Sequence, residues 1–245
     1  MAYYHCIFFD LDGTLLDFEA AERKALLETL EKFSLPTDQE TQALYRSINK
    51  ELWAALEKGQ IKRDKLLVER FARFLKQLDA KGSPAEMNRF YLGQLGSHAD
   101  TMPGALETVR ELAEVATLAV ASNGVTQVQS SRLRDSHLFE YIDEVFVSEQ
   151  MGCEKPSRRF FDQAIKTLGV EQRDKILMVG DSLSADIKGG KNAGIATCWC
   201  NFTNQPEPEK DKPDYIIHNL NELYAIVMEE DELQNVGVKH RKHQF

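Results

Sequence analysis

Cysteine is scarce in this chain. The 245 residues hold 4, at Cys6, Cys153, Cys198 and Cys200, too few and too scattered for a disulfide framework. Cys198 and Cys200 stand two apart on an expected strand and so share a face. No histidine or second cysteine pair follows at zinc spacing, and small buried apolar groups are the expected role. Positive charge is also in deficit: 30 Lys and Arg against 39 Asp and Glu give a net charge of −9 at pH 7. That balance removes any general attraction to nucleic acid or anionic lipid, and a small anionic ligand must be met by a locally positive site. Apolar runs longer than a strand are missing, which excludes a membrane-spanning helix. The first strand is expected within a few residues of Met1, with no secretory leader before it, so the expected setting is the reducing cytoplasm. Internal repeats are absent too. The hydrophobic share of 42% and the charged share of 28% are those of an ordinary globular protein, and the length suits one core domain with a smaller inserted unit.

The periodicity of apolar residues predicts a strand–helix alternation with one long interruption. A short apolar run over 5–10 ends in carboxylates and reads as a buried strand. The segment 18–97 has the pattern of amphipathic helices, predicted at 20–33, 38–56, 62–78 and 85–95, with breaks near Pro36, Gly59 and Gly82-Ser83-Pro84. After Gly104 the alternation resumes. Strands are predicted at 117–122, 144–148, 175–181, 196–200 and 215–217, and helices at 126–136, 158–168, 183–193 and 220–230. The expected fold is therefore α/β, a Rossmann-like parallel sheet with a helical cap inserted after the first strand. Residues 1–17 and 98–230 form the core, 18–97 the cap, and 231–245 a polar, disordered tail. The basic stretch 239–242 in that tail could meet an acidic partner, but a frayed solvated end is the plainer reading.

In an open parallel sheet ligands bind at the carboxyl ends of the strands, and several polar groups fall there. Asp10-Leu11-Asp12-Gly13-Thr14 places two carboxylates on the turn after the first strand. They can converge on one ligand, and burying both is costly unless a cation or proton intervenes. A self-capped Asp-Gly turn is the simpler alternative. Ser122-Asn123-Gly124 leaves a strand and opens a helix, where a hydroxyl and backbone N–H groups can hold phosphate oxygens or merely cap the helix. Lys155-Pro156 precedes a helix, with Pro156 expected in its first turn. Gly180-Asp181-Ser182-Leu183-Ser184-Ala185-Asp186 is again strand, turn and helix. Hard Mg²⁺ takes oxygen ligands, and Asp10, Asp181 and the backbone carbonyl of Asp12 fit that demand, with Asp186 close enough to orient a metal-bound water. Capping of the helix by Asp181 and Asp186 is compatible with the same placement.

The order DxDGT, Ser-Asn, Lys-Pro, GDS-x3-D, each at a strand end or loop, resembles the haloacid-dehalogenase-like (HAD) phosphatase superfamily over nearly the whole chain. The resemblance implies a Mg²⁺-dependent phosphatase in which Asp10 is the nucleophile and Asp12 the general acid/base. It implies Ser122, Asn123 and Lys155 as phosphate-binding residues, Asp10, Asp12 and Asp181 around the metal, and Asp186 supporting them from behind. Members that displace halide lack the second carboxylate, so the presence of Asp12 argues against dehalogenation. Cap stretches Ile48-Asn49-Lys50-Glu51-Leu52-Trp53, Lys58-Gly59-Gln60-Ile61 and Arg70-Phe71, with Gly189-Gly190-Lys191-Asn192-Ala193-Gly194 and Thr197-Cys198-Trp199, look like the pyrimidine 5′-nucleotidase branch. That branch implies UMP, dUMP and dTMP as substrates, with Asn49 and Trp53 as candidate selectors. Trp53 can stack on a base or simply pack between cap helices. A phosphatase for phosphoglycolate or sugar phosphates, a phosphomutase, and a non-catalytic binding protein on the same fold are the alternatives. The expected partner is a small phosphate monoester, neither a nucleic-acid polymer nor a membrane, and the expected assembly is a monomer or homodimer.

Overall fold

The structure, a computed structural model, describes residues 2–228. The expected disordered tail and its basic stretch lie outside the described residues. Strand β1 (Cys6–Phe9) opens the chain and is followed by four helices, α1 (Phe18–Lys32), α2 (Gln39–Glu57), α3 (Arg63–Gln77) and α4 (Pro84–Gly96). Then come α5 (Ala105–Ala113), β2 (Thr117–Ser122), α6 (Thr126–Asp135), β3 (Glu144–Val147), α7 (Ser148–Met151) and α8 (Arg158–Leu168). The described chain ends with β4 (Ile176–Gly180), α9 (Lys188–Ala193), β5 (Ala196–Cys200), β6 (Tyr215–Ile217) and α10 (Leu223–Met228).

The six strands form one parallel sheet in the order β3-β2-β1-β4-β5-β6. β1 is central, and the chain builds outward first on the β2 side and then on the β4 side. Its carboxyl end is therefore the point where the strand order reverses, the usual ligand crevice of such sheets. β1 reads as a continuous apolar run because both its faces are covered. Ile7 and Phe9 enter one core with Leu118, Val120, Leu177 and Val179, while Cys6 and Phe8 enter the other with Phe146, Phe160 and Phe161. Each buried phenylalanine contributes roughly 1.5–3 kcal/mol of transfer free energy.

The chain divides into two compact units, one of residues up to Asp17 together with the chain from Thr101 onward, the other Phe18–Asp100. Within the first, the backbone N–H of Met102 donates to the carbonyl of Leu15 at 2.9 Å, so the sheet unit closes across the insertion point with its own hydrogen bond. The helical unit runs three residues beyond the expected 97. His98 contacts Glu28 at 3.2 Å and Asp100 pairs with Lys24 at 2.6 Å, which fastens these residues to α1. Its interior holds Leu26, Leu30, Tyr45, Leu52, Leu66, Phe71, Phe74 and Tyr91, all buried. Asp38 caps α2 by accepting from Thr41 N at 3.0 Å, and Ser83 caps α4 just ahead of Pro84.

Three local departures from the sequence reading occur. α5 was not anticipated: its cap is Gly104 with φ 78°, not Ser, Thr or Asp, and its apolar face is only Ala105, Val109 and Leu112. The expected helix over 183–193 begins instead as a π turn, Leu183–Ile187, before α9. There Ser182 Oγ accepts from Ala185 N at 3.1 Å and Asp186 Oδ2 accepts from Ser182 N at 3.0 Å, side chains replacing regular helical bonding. Pro156 does not enter the first turn of α8, because Ser157 occupies the cap position.

Candidate functional site

Asp10, Ser122 and Asp181 stand at the carboxyl ends of the adjacent strands β1, β2 and β4, and the Lys155 loop joins them from beyond β3 and α7. Asp10 follows β1 directly, its N–H donating to Val179 of β4 at 2.9 Å. Asp181 follows β4, and Ser122 is the last residue of β2. One carboxylate oxygen from each of Asp10, Asp181 and Asp186 lies within 4.8 Å of the others. Lys155 enters from the loop before α8, only 1% exposed, its Nζ 2.7 Å from Asp10 Oδ1 and 2.6 Å from Asp186 Oδ1. A lysine predicted on a loop would ordinarily be solvated. Here Asn123 seats it, since the Asn123 amide accepts from Lys155 N and donates to Lys155 O, both at 2.9 Å.

The electrostatics follow from crowding three carboxylates around one ammonium. Burial is the largest influence on Asp10 and raises its pKa well above the usual carboxylate range; Lys155 opposes this, while Asp186, Asp181 and Asp12 add repulsion. Crowding by surrounding protein, then repulsion from Asp186, pushes Asp181 up to about 7, although the residue as a whole is exposed. Burial alone would lower Lys155, but Asp10 and Asp186 outweigh it and hold the ammonium charged. Three carboxylates and one ammonium leave two negative charges uncompensated, the charge of one divalent cation. The donor set is all carboxylate oxygen, which fits Mg²⁺ and not a soft metal.

The Asp181 peptide is held at both ends. Its N–H donates to Thr14 Oγ1 at 3.1 Å, and its carbonyl accepts from the Trp199 indole N–H at 2.9 Å. Gly13, at φ 82°, completes the fit, because a Cβ there would lie 2.7 Å from Asp181 Oδ2. Asp12 stands apart from the acidic cluster, its carboxylate met by Gln129 and Arg132 of α6. Neither Gln129 nor Arg132 carried a motif in the sequence, and Trp199 entered only as part of the Thr197-Cys198-Trp199 stretch, with no role of its own. Their signal was positional only: Gln129 and Arg132 lie three apart on the helix that Ser122-Asn123-Gly124 opens.

The two selector candidates lie in the helical unit. Asn49 is buried, its Nδ2 donating to Glu22 Oε1 at 2.9 Å and its Oδ1 accepting from Arg70 Nη1 at 3.3 Å. Trp53, one turn further along α2, is half-buried. Cys198 and Cys200 are free and buried in the sheet core, as expected of small apolar residues. Among the described residues no helix is long and apolar enough to cross a membrane.

Comparison with known proteins places this geometry. A family model described as haloacid dehalogenase-like hydrolase matches residues 4–194. The pyrimidine 5′-nucleotidase PynA of Streptococcus pneumoniae is 37% identical over 225 residues, covering 90% of this chain and 94% of that protein. The pyrimidine 5′-nucleotidase YjjG of Escherichia coli is 32% identical over 221 residues, covering 90% and 96%. Among solved structures, the HAD-hydrolase YfnB of Bacillus subtilis bound to magnesium matches with a TM-score of 0.87 at 37% identity, over 91% of this chain and 98% of that one.

Proposed function

The chain belongs to the haloacid dehalogenase-like hydrolase family, and from that premise we propose that it hydrolyses pyrimidine nucleoside 5′-monophosphates through a phosphorylated Asp10. The observation that carries the phosphatase chemistry is the meeting of Asp10, Lys155, Asp181 and Asp186 at the strand-order reversal, beside Ser122 and Asp12. A carboxylate oxygen of Asp10 attacks phosphorus, the phosphorus–oxygen ester bond breaks, and Asp12 delivers a proton to the departing alkoxide. Asp12 then takes a proton from the water that attacks the aspartyl phosphate, which returns Asp10 and releases inorganic phosphate. Lys155 lies against Asp10 and supplies positive charge for the phosphoryl oxygens. Ser122 offers a hydroxyl to the same oxygens, and Asn123 keeps the Lys155 loop in place. Mg²⁺ held by Asp10 and Asp181, with the carbonyl of Asp12, would add neutralisation of the phosphate and of the nucleophile that approaches it.

The narrower substrate reading rests on the two nucleotidase relatives and on the cap stretches that resemble that branch. Trp53 carries nucleoside selection in it, while Asn49, tied to Glu22 and Arg70, holds the helical unit together. The test is a panel of phosphate monoesters assayed for released phosphate, with Asp10→Asn as control. UMP, dUMP and dTMP should exceed purine nucleotides, phosphoglycolate and hexose phosphates in kcat/KM, and Asp10→Asn should abolish turnover on every ester. Tenfold preference for phosphoglycolate or a hexose phosphate would overturn the nucleotidase assignment and leave the phosphatase one standing. Turnover surviving Asp10→Asn would overturn the covalent route itself.

A further inference from the structure

The general acid/base of this reading is Asp12, and its surroundings contain two residues to which no role has yet been given. Gln129 Nε2 donates to Asp12 Oδ2 at 2.7 Å, and Arg132 Nη1 donates to Asp12 Oδ1. The same Gln129 nitrogen donates to Ser122 Oγ at 2.8 Å. Gln129 is 1% exposed and Arg132 fully buried, whereas the Asp12 side chain keeps 28% of its surface open. The two donors therefore grip the carboxylate from the protein side and leave its outer face to the reactants. Gly124 makes the arrangement possible, because a Cβ at that position would lie 2.5 Å from Gln129 Nε2.

We propose that Gln129 and Arg132 are positioning residues for the reaction, a clamp that fixes the orientation of Asp12 and, through Gln129, ties it to the phosphate-holding hydroxyl of Ser122. The inference rests on the reading of Asp12 as acid/base given above. A carboxylate on a two-bond side chain swings freely about χ1 and χ2, and proton transfer needs its oxygen within hydrogen-bond reach of the ester oxygen and later of water. Arg132 fixes Oδ1 through its charged Nη1 while Gln129 fixes Oδ2, so the two donors together hold the carboxylate in one orientation. Gln129 does a second thing. Ser122 Oγ accepts from Gln129 and also from Gly124 N at 3.1 Å, which occupies both acceptor directions and turns its own O–H outward as a donor. A phosphate oxygen has only acceptor capacity, so a hydroxyl fixed as donor suits it. One amide nitrogen thus sets the polarity of the phosphate contact and the aim of the proton carrier together.

The experiment uses the full chain and compares a nucleoside monophosphate, whose leaving alkoxide needs a proton, with p-nitrophenyl phosphate, whose leaving group does not. In kcat/KM, which reports events through leaving-group departure, Arg132→Met should lose about tenfold or more on the nucleotide beyond its loss on the aryl ester. Arg132→Lys should recover part of that difference. Gln129→Leu should show the same leaving-group dependence and in addition weaken inhibition by inorganic phosphate, through Ser122. The pair Asp12→Asn/Arg132→Met should be no worse than about twofold below Asp12→Asn alone, because the clamp acts through the carboxylate already removed. Should Arg132→Met fail to fold, Arg132→Lys and Gln129→Leu carry the same comparison. Equal losses on both esters, additive with Asp12→Asn while Asp10→Asn stays inactive, would overturn the clamp and spare the phosphatase reading. Turnover retained by Asp10→Asn would overturn both.

Discussion

A lysine removed from water stays charged only where anions replace its hydration, and Lys155 meets that condition with Asp10 at 2.7 Å and Asp186 at 2.6 Å. The third carboxylate, Asp181, is held through its backbone, by Thr14 at one end and Trp199 at the other. Such outer contacts orient a metal-ligating carboxylate without touching the ion. Trp199→Phe keeps the buried ring and deletes the indole N–H. The half-saturating Mg²⁺ concentration should then rise by roughly tenfold, in the range usual for lost supporting contacts, while kcat at saturating Mg²⁺ stays near wild type. A metal titration of phosphatase activity reads this directly. An unchanged Mg²⁺ requirement with a lowered kcat would place Trp199 in packing alone.

The helical elements were legible because their apolar spacing is long and regular: α2, α3 and α4 begin and end within one residue of the expected 38–56, 62–78 and 85–95. α5 was missed for the opposite reason, nine residues with three buried apolar positions and a glycine cap. The candidate site was legible where a motif ends a strand, and illegible where a partner arrives from far along the chain. Gln129 and Arg132 reach Asp12 across 117 and 120 residues, and no local pattern encodes such a contact. The same limit applies within α2. Asn49 and Trp53 stand one helical turn apart, yet Asn49 is tied at both ends of its amide to Glu22 and Arg70 while Trp53 is only half-buried. Burial raises the pKa of Glu22, and Asn49 and Arg70 work against that. Asn49→Leu should therefore lower stability by about 2 kcal/mol, the cost of leaving charged partners unsatisfied, with nucleotide and p-nitrophenyl phosphate turnover falling together. Trp53→Ala should instead lower kcat/KM on UMP at least tenfold more than on the aryl ester, a difference of about 1.4 kcal/mol. Parallel losses from both substitutions would remove Trp53 from selection.

At the scale of the whole molecule, the carboxylates proposed to hold Mg²⁺ also bear on stability. Asp10 is raised well above its ordinary range and Asp181 sits at about 7, whereas an unfolded aspartate titrates near 3.9. Between those values the folded state holds more protons than the unfolded one, so metal-free stability falls as pH climbs through the window. Asp214 behaves oppositely. Burial opposes its ionisation, but Lys191 at 2.6 Å and Thr197 overrule this and hold its pKa below the usual value. Its contribution is present above the unfolded pKa and is lost only as pH falls through the lower folded value, well under pH 5. A divalent cation binds the deprotonated carboxylates, so it gains affinity and displaces protons as pH rises toward 7. The rise in Tm on replacing EDTA with saturating Mg²⁺ should therefore be larger at pH 7.5 than at pH 5.5. Taking the difference at each pH cancels titrations elsewhere in the chain, including the histidines. Asp181→Asn removes one of the two raised groups and should shrink both the Mg²⁺ shift and its pH dependence. A Tm rise equal at the two pH values in the unsubstituted protein would show that Mg²⁺ binds away from this cluster.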